Sequence, residues 1–453
     1  MMMKMNPLEV RKILSKNILA DGFEPVLDLE KSHGSWLVDQ RDGNEYLDLF
    51  TMYASGSIGF NHPYVLENKE QLLKASLYKP TLSDIYSVQY ADFVNVFNAV
   101  AIPDYLKKTF FIEGGSLAVE NALKVAFDWK KRKNLDKGVD TDDLKVLYFK
   151  EAFHGRSGYT LSLTNTSDPR KTMYFPKFDW PKIINPKLEF PLTDQGISDT
   201  IENEDLAVKQ IKMAIENNPG QISCLIIEPI QGEGGDNHFR CRFFEKLREL
   251  ADSYDFLLIY DEVQTGVGIT GKMWAHQHFV PSICPCDTTI KKAPLPDILA
   301  FGKKSQVCGI LCGDRIDEVE RNAFVESSRI NSTFGGNLVD MVRFKIILEV
   351  IEKEQLLDSV VKSGNYLIEG LNNLASTFPG LVSNVRGKGL FCAFDMPSDT
   401  ERDKLIKFLY ENNVMILGSG DKSIRFRPNL NIKHEEIDFG LDALNKSLKS
   451  LLK

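Results

Sequence analysis

Short apolar runs alternate with stretches of helical periodicity through the middle of the chain. The runs at 110–112, Val146–Phe149, Cys224–Ile227, Phe256–Tyr260 and 297–301 read as buried strands, while 117–132, 205–217 and 241–253 carry the apolar spacing of helices. This β-α-β-α order predicts an α/β domain with a mainly parallel sheet and helices on both faces. The flanks differ. Residues 7–20 read as an amphipathic helix, and Pro25–Leu29, Ser35–Asp39 and Tyr46–Phe50, around an Asp42-Gly43 turn, as a small antiparallel meander. Residues 64–100 read as helix broken near Lys79-Pro80. Long helices over 338–375, strands at 389–395 and 414–417, the segment Ser423–Arg427 and a last helix over 434–452 predict a separate α+β lobe. A polar linker spans 134–145, and two proline-rich stretches, 165–200 and 281–296, are expected to be irregular.

Composition narrows the function. A formal charge of -8 with no block of Lys/Arg argues against a nucleic-acid partner. The start, Met-Met-Met-Lys-Met-Asn-Pro, lacks the apolar core of a signal peptide, and no run approaches a membrane span. The 7 cysteines are odd in number and scattered, so reduced thiols and a cytoplasmic protein are expected. Cys284, Cys286, Cys308 and Cys312, with His276 and His278 nearby, invite a zinc reading. Their spacing is not that of a usual knuckle, and Cys308 and Cys312 fall in an apolar stretch, so core packing is expected and no metal.

The chemistry gathers where the strands end. Pro296–Lys304 is an apolar run closing in Gly302-Lys303-Lys304. A lysine at a strand end, part desolvated, has a lowered pKa and is a usable nucleophile. Gly114-Gly115-Ser116 opens a helix, and backbone N–H groups with a hydroxyl there make an anion site. It is not the G-x-G-x-x-G of a dinucleotide fold, which argues against a nicotinamide dehydrogenase. Phe153-His154-Gly155-Arg156 offers a face for stacking and a guanidinium for a carboxylate. Asp261, with Gln264 after it, closes another buried run, where a carboxylate needs a cationic partner. A lysine, a buried aspartate, a phosphate site and a stacking ring are what pyridoxal phosphate asks of a protein.

Tyr260-Asp261-Glu262-Val263-Gln264-Thr265-Gly266, followed by Asp297 and Gly302-Lys303, resembles the signature of the class III aminotransferases, and the resemblance covers nearly the whole chain. Within the class, Ala152–Arg156, Phe178–Pro181 and Ser423–Pro428 are similar to both 4-aminobutyrate transaminases and L-lysine 6-aminotransferases. The runs Glu113–Lys124, Phe301–Gly309 and Asn331–Asn337 resemble the lysine enzymes. Ser116 stands where a smaller residue is expected, and Phe334 where tryptophan is common; neither removes a catalytic group.

The resemblance implies fold type I: a large cofactor domain over 64–337, and a small domain from 1–63 and 338–453. It implies a homodimer with shared active sites. By the same resemblance Lys303, rather than Lys304, carries the cofactor as a Schiff base and moves the proton. Asp261 stabilises the pyridinium, Gln264 bonds the ring oxygen, and Phe153 stacks, with His154 also against the cofactor. Gly115, Ser116 and the neighbouring subunit's Thr333 hold the phosphate. The implied reaction passes the terminal amine of L-lysine to 2-oxoglutarate, giving 2-aminoadipate 6-semialdehyde and L-glutamate; a 4-aminobutyrate or ornithine aminotransferase is the alternative. Arg156 suits the remote carboxylate of both substrates, and Arg425 the carboxylate beside the reacting carbon of the keto acid. Glu233 would pair with Arg425 while lysine reacts and swing away for 2-oxoglutarate. Asn331 is a candidate for the lysine α-ammonium.

Overall fold

The computed structural model describes residues 5–280 and 291–452. Near the N-terminus β1 (Trp36–Val38) and β2 (Glu45–Asp48) pair antiparallel around Asp42, whose carboxylate accepts from the Asn44 N–H at 3.0 Å. The central sheet holds β3 (Lys108–Ile112), β4 (Lys145–Phe149), β5 (Lys182–Ile183), β6 (Ile222–Ile227), β7 (Leu257–Asp261), β8 (Ile298–Phe301) and β9 (Cys308–Cys312), in the order β3-β9-β8-β7-β6-β4-β5. From β5 to β8 every pairing is parallel; β9 runs antiparallel to both of its neighbours.

Alternation along the buried strands builds two cores. Val146, Cys224, Ile226, Leu257 and Ile259 pack on one face against the helix Gly115–Asp136, through Val119, Ala122 and Trp129. Leu147, Leu225, Leu258 and Tyr260 pack on the other against the helix Cys241–Tyr254, through Phe243, Phe244 and Leu247. Strands covered on both faces read as continuous apolar runs, which is how they appear in the sequence.

The C-terminal part contributes β10 (Ser383–Lys388), β11 (Phe391–Asp395), β12 (Val414–Met415), β13 (Leu417–Ser419) and β14 (Ser423–Phe426). Four of these form the antiparallel sheet β10-β11-β14-β13. The fifth, β12, pairs in parallel with β2 (Val414 opposite Leu47), so the two ends of the chain share one small sheet.

Several elements depart from expectation. Residues 7–20 form only a 3-10 turn, Pro7–Glu9, and a helix, Val10–Leu14; Leu8, Ile13, Leu14, Ile18 and Leu19 are exposed. An amphipathic helix with no surface to bury against has little to offset its nucleation cost. The irregular stretch expected to 200 gives way earlier, because the helix before β6 runs over Asp194–Asn217, capped by the Thr193 hydroxyl on Gly196 N–H. Its buried stripe is Thr200, Glu204, Ala207 and Ile211, and the polar members conceal the periodicity. Glu204 is tolerated there because Arg240 and Lys246 lie 3.2 and 3.5 Å from it. The linker expected at 134–145 begins within a helix that continues to Asp136. The strand expected at 389–395 is the second arm of a hairpin that turns at Gly389, φ +56°. Strand β9 was not foreseen as a strand.

Cys308 and Cys312 lie in β9 as buried free thiols, as are Cys224 and Cys392 elsewhere. Cys241 departs from the expected reduced set, being disulfide-bonded. Cys284 and Cys286 lie outside the described residues. Among the described residues no helix is long and apolar enough to cross a membrane.

Candidate active site

Lys303 lies two residues beyond the end of β8, after Gly302, and takes a left-handed conformation, φ +54°. Such backbone is rare for a residue with a side chain and persists where the surroundings enforce it. Here Gly302 packs closely: a Cβ on it would lie 3.0 Å from Cys308 Sγ and 3.5 Å from Gly115 Cα. The turn delivers the Lys303 amine to a cavity of about 480 Å3 at the strand ends. Burial, then the charges of Arg425 and Arg427, push its pKa down to about 8, against the opposing pull of Glu233 and Asp261. Lys304 differs: it is buried beneath, and its Nζ donates to the Ala54 carbonyl at 2.7 Å.

Asp261 ends β7 and borders the same cavity. Its Oδ1 accepts from Val263 N–H at 3.0 Å and its Oδ2 from His154 Nδ1 at 2.7 Å. His154 is anchored in turn by its N–H on Thr164 Oγ1 at 3.1 Å. Glu228 stands just beyond β6 and borders the same cavity. Its two oxygens accept from Phe153 N–H and Gly232 N–H, each at 3.0 Å, tying the loop after β4 to the loop after β6. Burial, reinforced by the charge of Asp261, pushes its pKa up to about 7 although His154 and the two N–H groups oppose the shift.

The helix starting at Gly115 opens beside Lys303, with Gly114 at φ +97°. Ser116 Oγ lies 2.6 Å from Ser157 Oγ and 2.8 Å from Thr160 Oγ1. A Cβ on Gly155, φ +124°, would sit 2.2 Å from Ser116 Oγ, so only glycine fits. Free N–H groups at a helix start beside clustered hydroxyls suit a phosphate. Phe153, half-buried, and Gln264 also line the cavity. Gln264 Oε1 accepts from Arg427 Nε at 3.0 Å, which leaves its NH2 as the uncommitted donor. Arg427 is buried and held by Asp236 at 2.6 and 2.8 Å.

Arg156 is exposed at the cavity rim and has no ion-pair partner among the described residues. Arg425, on β14, is buried and its Nη1 lies 3.0 Å from Glu233 Oε2. Glu233 Oε1 also accepts from Lys171 Nζ at 2.5 Å, a partner that sequence reasoning missed. Asn331 and Thr333 are not brought to the cavity by this chain; they sit on an exposed loop packed on Leu82 and Ser83, where Leu82 N–H donates to Phe334 O at 3.0 Å.

These residues fit pyridoxal phosphate. The Lys303 amine has no hydrogen-bond partner among the described residues, a fixed carboxylate faces the same space, and an anion site opens beside them. A doubly covered sheet that presents this set at its strand ends has the architecture of the fold type I pyridoxal-phosphate enzymes. The class-III aminotransferase model matches residues 19–448, and the chain belongs to that family. It is an aminotransferase, and its cofactor is pyridoxal 5′-phosphate. The chain is 48% identical over 446 residues to the L-lysine-epsilon aminotransferase of Mycobacterium tuberculosis, covering 98% of this chain and 96% of that protein. The solved lysine aminotransferase from M. tuberculosis superposes with a TM-score of 0.93 at 47% identity, covering 99% of this chain and 100% of that one. A 4-aminobutyrate aminotransferase of Dictyostelium discoideum is 34% identical over 446 residues, covering 94% and 86%.

Proposed function

We propose that this enzyme passes the terminal amine of L-lysine to 2-oxoglutarate, giving 2-aminoadipate 6-semialdehyde and L-glutamate. The observation that carries this reading is the Glu233–Arg425 pair, 3.0 Å apart and close enough to Lys303 for both charges to act on its amine. A terminal amine has no carboxylate on the reacting carbon, so a bare buried guanidinium would be costly and would favour the wrong substrate. Glu233 neutralises it. Released from Glu233, Arg425 can clamp the carboxylate beside the keto group of 2-oxoglutarate. Arg156, unpaired at the rim, suits the distant carboxylate of both substrates. The names of the relatives support lysine over other donors.

When bound, the cofactor supplies an electron sink for the carbon that bears the amine. Lys303, with a pKa near 8, takes and returns the proton of that carbon as general base and acid. Asp261, held by His154, would stabilise the protonated ring nitrogen of the cofactor. Gln264 offers its NH2, Phe153 its ring face, and Gly115 and Ser116 the anion site. We assign Thr333, and Asn331 for the lysine α-ammonium, to the active site of a neighbouring subunit in a homodimer. Exposed Leu77, Tyr78, Ile85, Tyr86 and Val88 support such an interface. We also infer a cytoplasmic setting, on the balance of the free buried thiols of Cys224, Cys308, Cys312 and Cys392 against the single described disulfide cysteine, Cys241.

The test is a half-reaction. L-lysine, 4-aminobutyrate or L-ornithine is added separately to the holoenzyme without keto acid. Rapid bleaching of the visible cofactor band by L-lysine alone, reversed by 2-oxoglutarate, is the expected result. Bleaching by 4-aminobutyrate but not by L-lysine would reassign the donor.

A further inference from the structure

Glu233 carries two cations, one on each carboxylate oxygen: Arg425 at 3.0 Å on Oε2 and Lys171 at 2.5 Å on Oε1. The environments are unequal. The Arg425 side chain is 6% exposed, while those of Glu233 and Lys171 are 23% and 28% exposed. No other carboxylate lies within ion-pair distance of Lys171 among the described residues.

The loop around Glu233 has little room to move. A Cβ on Gly232 would meet Gln264 Oε1 at 2.3 Å, and one on Gly234 would meet the Glu151 carbonyl at 2.2 Å. The Glu233 carbonyl accepts from Gly420 N–H at 2.8 Å. Any release of Arg425 is therefore a rotation of the Glu233 side chain on a fixed backbone. Lys171 sits on a separate 3-10 turn, Pro169–Lys171, capped by Asp168 and closed by Met173 N–H on Pro169 O at 2.9 Å. It does not depend on Arg425 for its place.

A carboxylate that leaves a guanidinium in a half-buried loop needs another counter-charge, or the departure is disfavoured. We infer that Lys171 is a positioning residue that retains Glu233 once it rotates off Arg425, and so admits the dicarboxylic keto acid in the second half of the cycle. This rests on the two-substrate reading above. It predicts a division of labour: Arg425 and Lys171 share Glu233 while the terminal amine reacts, and Lys171 alone holds it while 2-oxoglutarate reacts.

The test compares Lys171→Met and Lys171→Arg holoenzymes in the two half-reactions. Lys171→Met should leave the L-lysine half-reaction within about twofold of wild type and raise KM for 2-oxoglutarate on the order of tenfold, the equivalent of one lost charge-assisted hydrogen bond, with kcat nearly unchanged. Lys171→Arg should restore the KM. In a Glu233→Ala background, Lys171→Met should add no further effect. An unchanged 2-oxoglutarate KM, an equal loss in both half-reactions, or the same effect without Glu233 would each overturn the inference. If wild-type enzyme ignores L-lysine, the substrate reading fails by itself. Enzyme aminated with 4-aminobutyrate would then still decide the role of Lys171 through its reaction with 2-oxoglutarate.

Discussion

His154 Nδ1 donates to Asp261 Oδ2 at 2.7 Å, and both side chains are buried. The bond joins the loop after β4 to the end of β7 and fixes the plane of the carboxylate against the cavity. Asp261→Asn keeps the shape and removes the charge. Turnover should fall about a hundred- to a thousandfold, as for loss of one preorganised electrostatic group. His154→Ala leaves the charge but frees its orientation, and should cost about 10- to 100-fold. Single-turnover bleaching by L-lysine measures both. An Asp261→Asn rate within tenfold of wild type would remove Asp261 from this role.

Lys303 makes a second prediction, about the enzyme stripped of cofactor. Only the neutral amine attacks an aldehyde, and burial with Arg425 and Arg427 nearby lowers its pKa to about 8. The rate at which added pyridoxal phosphate is captured should rise about tenfold per pH unit below that value and level off above it. Lys303→Ala should abolish capture. Lys304→Met should not, because the Lys304 amine is committed to the Ala54 carbonyl. A profile still rising at pH near 10 would mean that the amine is not depressed.

Glu228 makes a prediction about stability. Its folded pKa, about 7, lies above the ordinary 4.5. Between those values the folded state binds the proton and the unfolded state does not. Stability from this group is therefore greatest at low pH and is lost as pH rises through that window. The size is about 3 kcal/mol at most, from the shift alone. Glu228→Gln loses an acceptor for Phe153 N–H or Gly232 N–H, so it should be less stable overall. Its denaturation free energy should, however, fall less between pH 5 and pH 8 than that of wild type. Urea titrations at the two pH values give the comparison, and equal slopes would show that Glu228 titrates normally.

The strand ends were legible because fully covered strands write themselves as apolar runs, and a charged residue closing such a run is conspicuous. That is how Lys303 and Asp261 were found. Glu228 obeyed the same rule, immediately after Cys224–Ile227, but its partners are backbone N–H groups and leave no side-chain pattern. Arg427 shares the two-residue spacing of Arg425, yet its work is to seat Gln264, 163 residues away. Lys171 reaches Glu233 across 62 residues from a proline-containing turn, and nothing local distinguishes it from a solvated lysine. The helix Asp194–Asn217 stayed hidden because Thr200 and Glu204 fill positions where periodicity looks for apolar residues. Pattern reveals what burial selects along one element; it does not reveal pairings between distant loops.

The Glu233–Arg425 pair carries the final prediction. Glu233→Ala leaves the 6%-exposed Arg425 side chain without its carboxylate beside the reacting amine. A substrate that brings its own carboxylate to that carbon would repair the loss, whereas L-lysine reacting through its terminal amine cannot. The preference for L-lysine over L-glutamate, as the ratio of kcat/KM values in the amino-donor half-reaction, should fall on the order of a hundredfold. KM for 2-oxoglutarate should fall as well, since its carboxylate no longer competes with Glu233. Glu233→Gln, which can still accept from Arg425 but carries no charge, should lie between the two. If the ratio for Glu233→Ala equals that of wild type, Glu233 does not gate Arg425, and the choice between a terminal amine and an α-amino acid must be made elsewhere in the cavity.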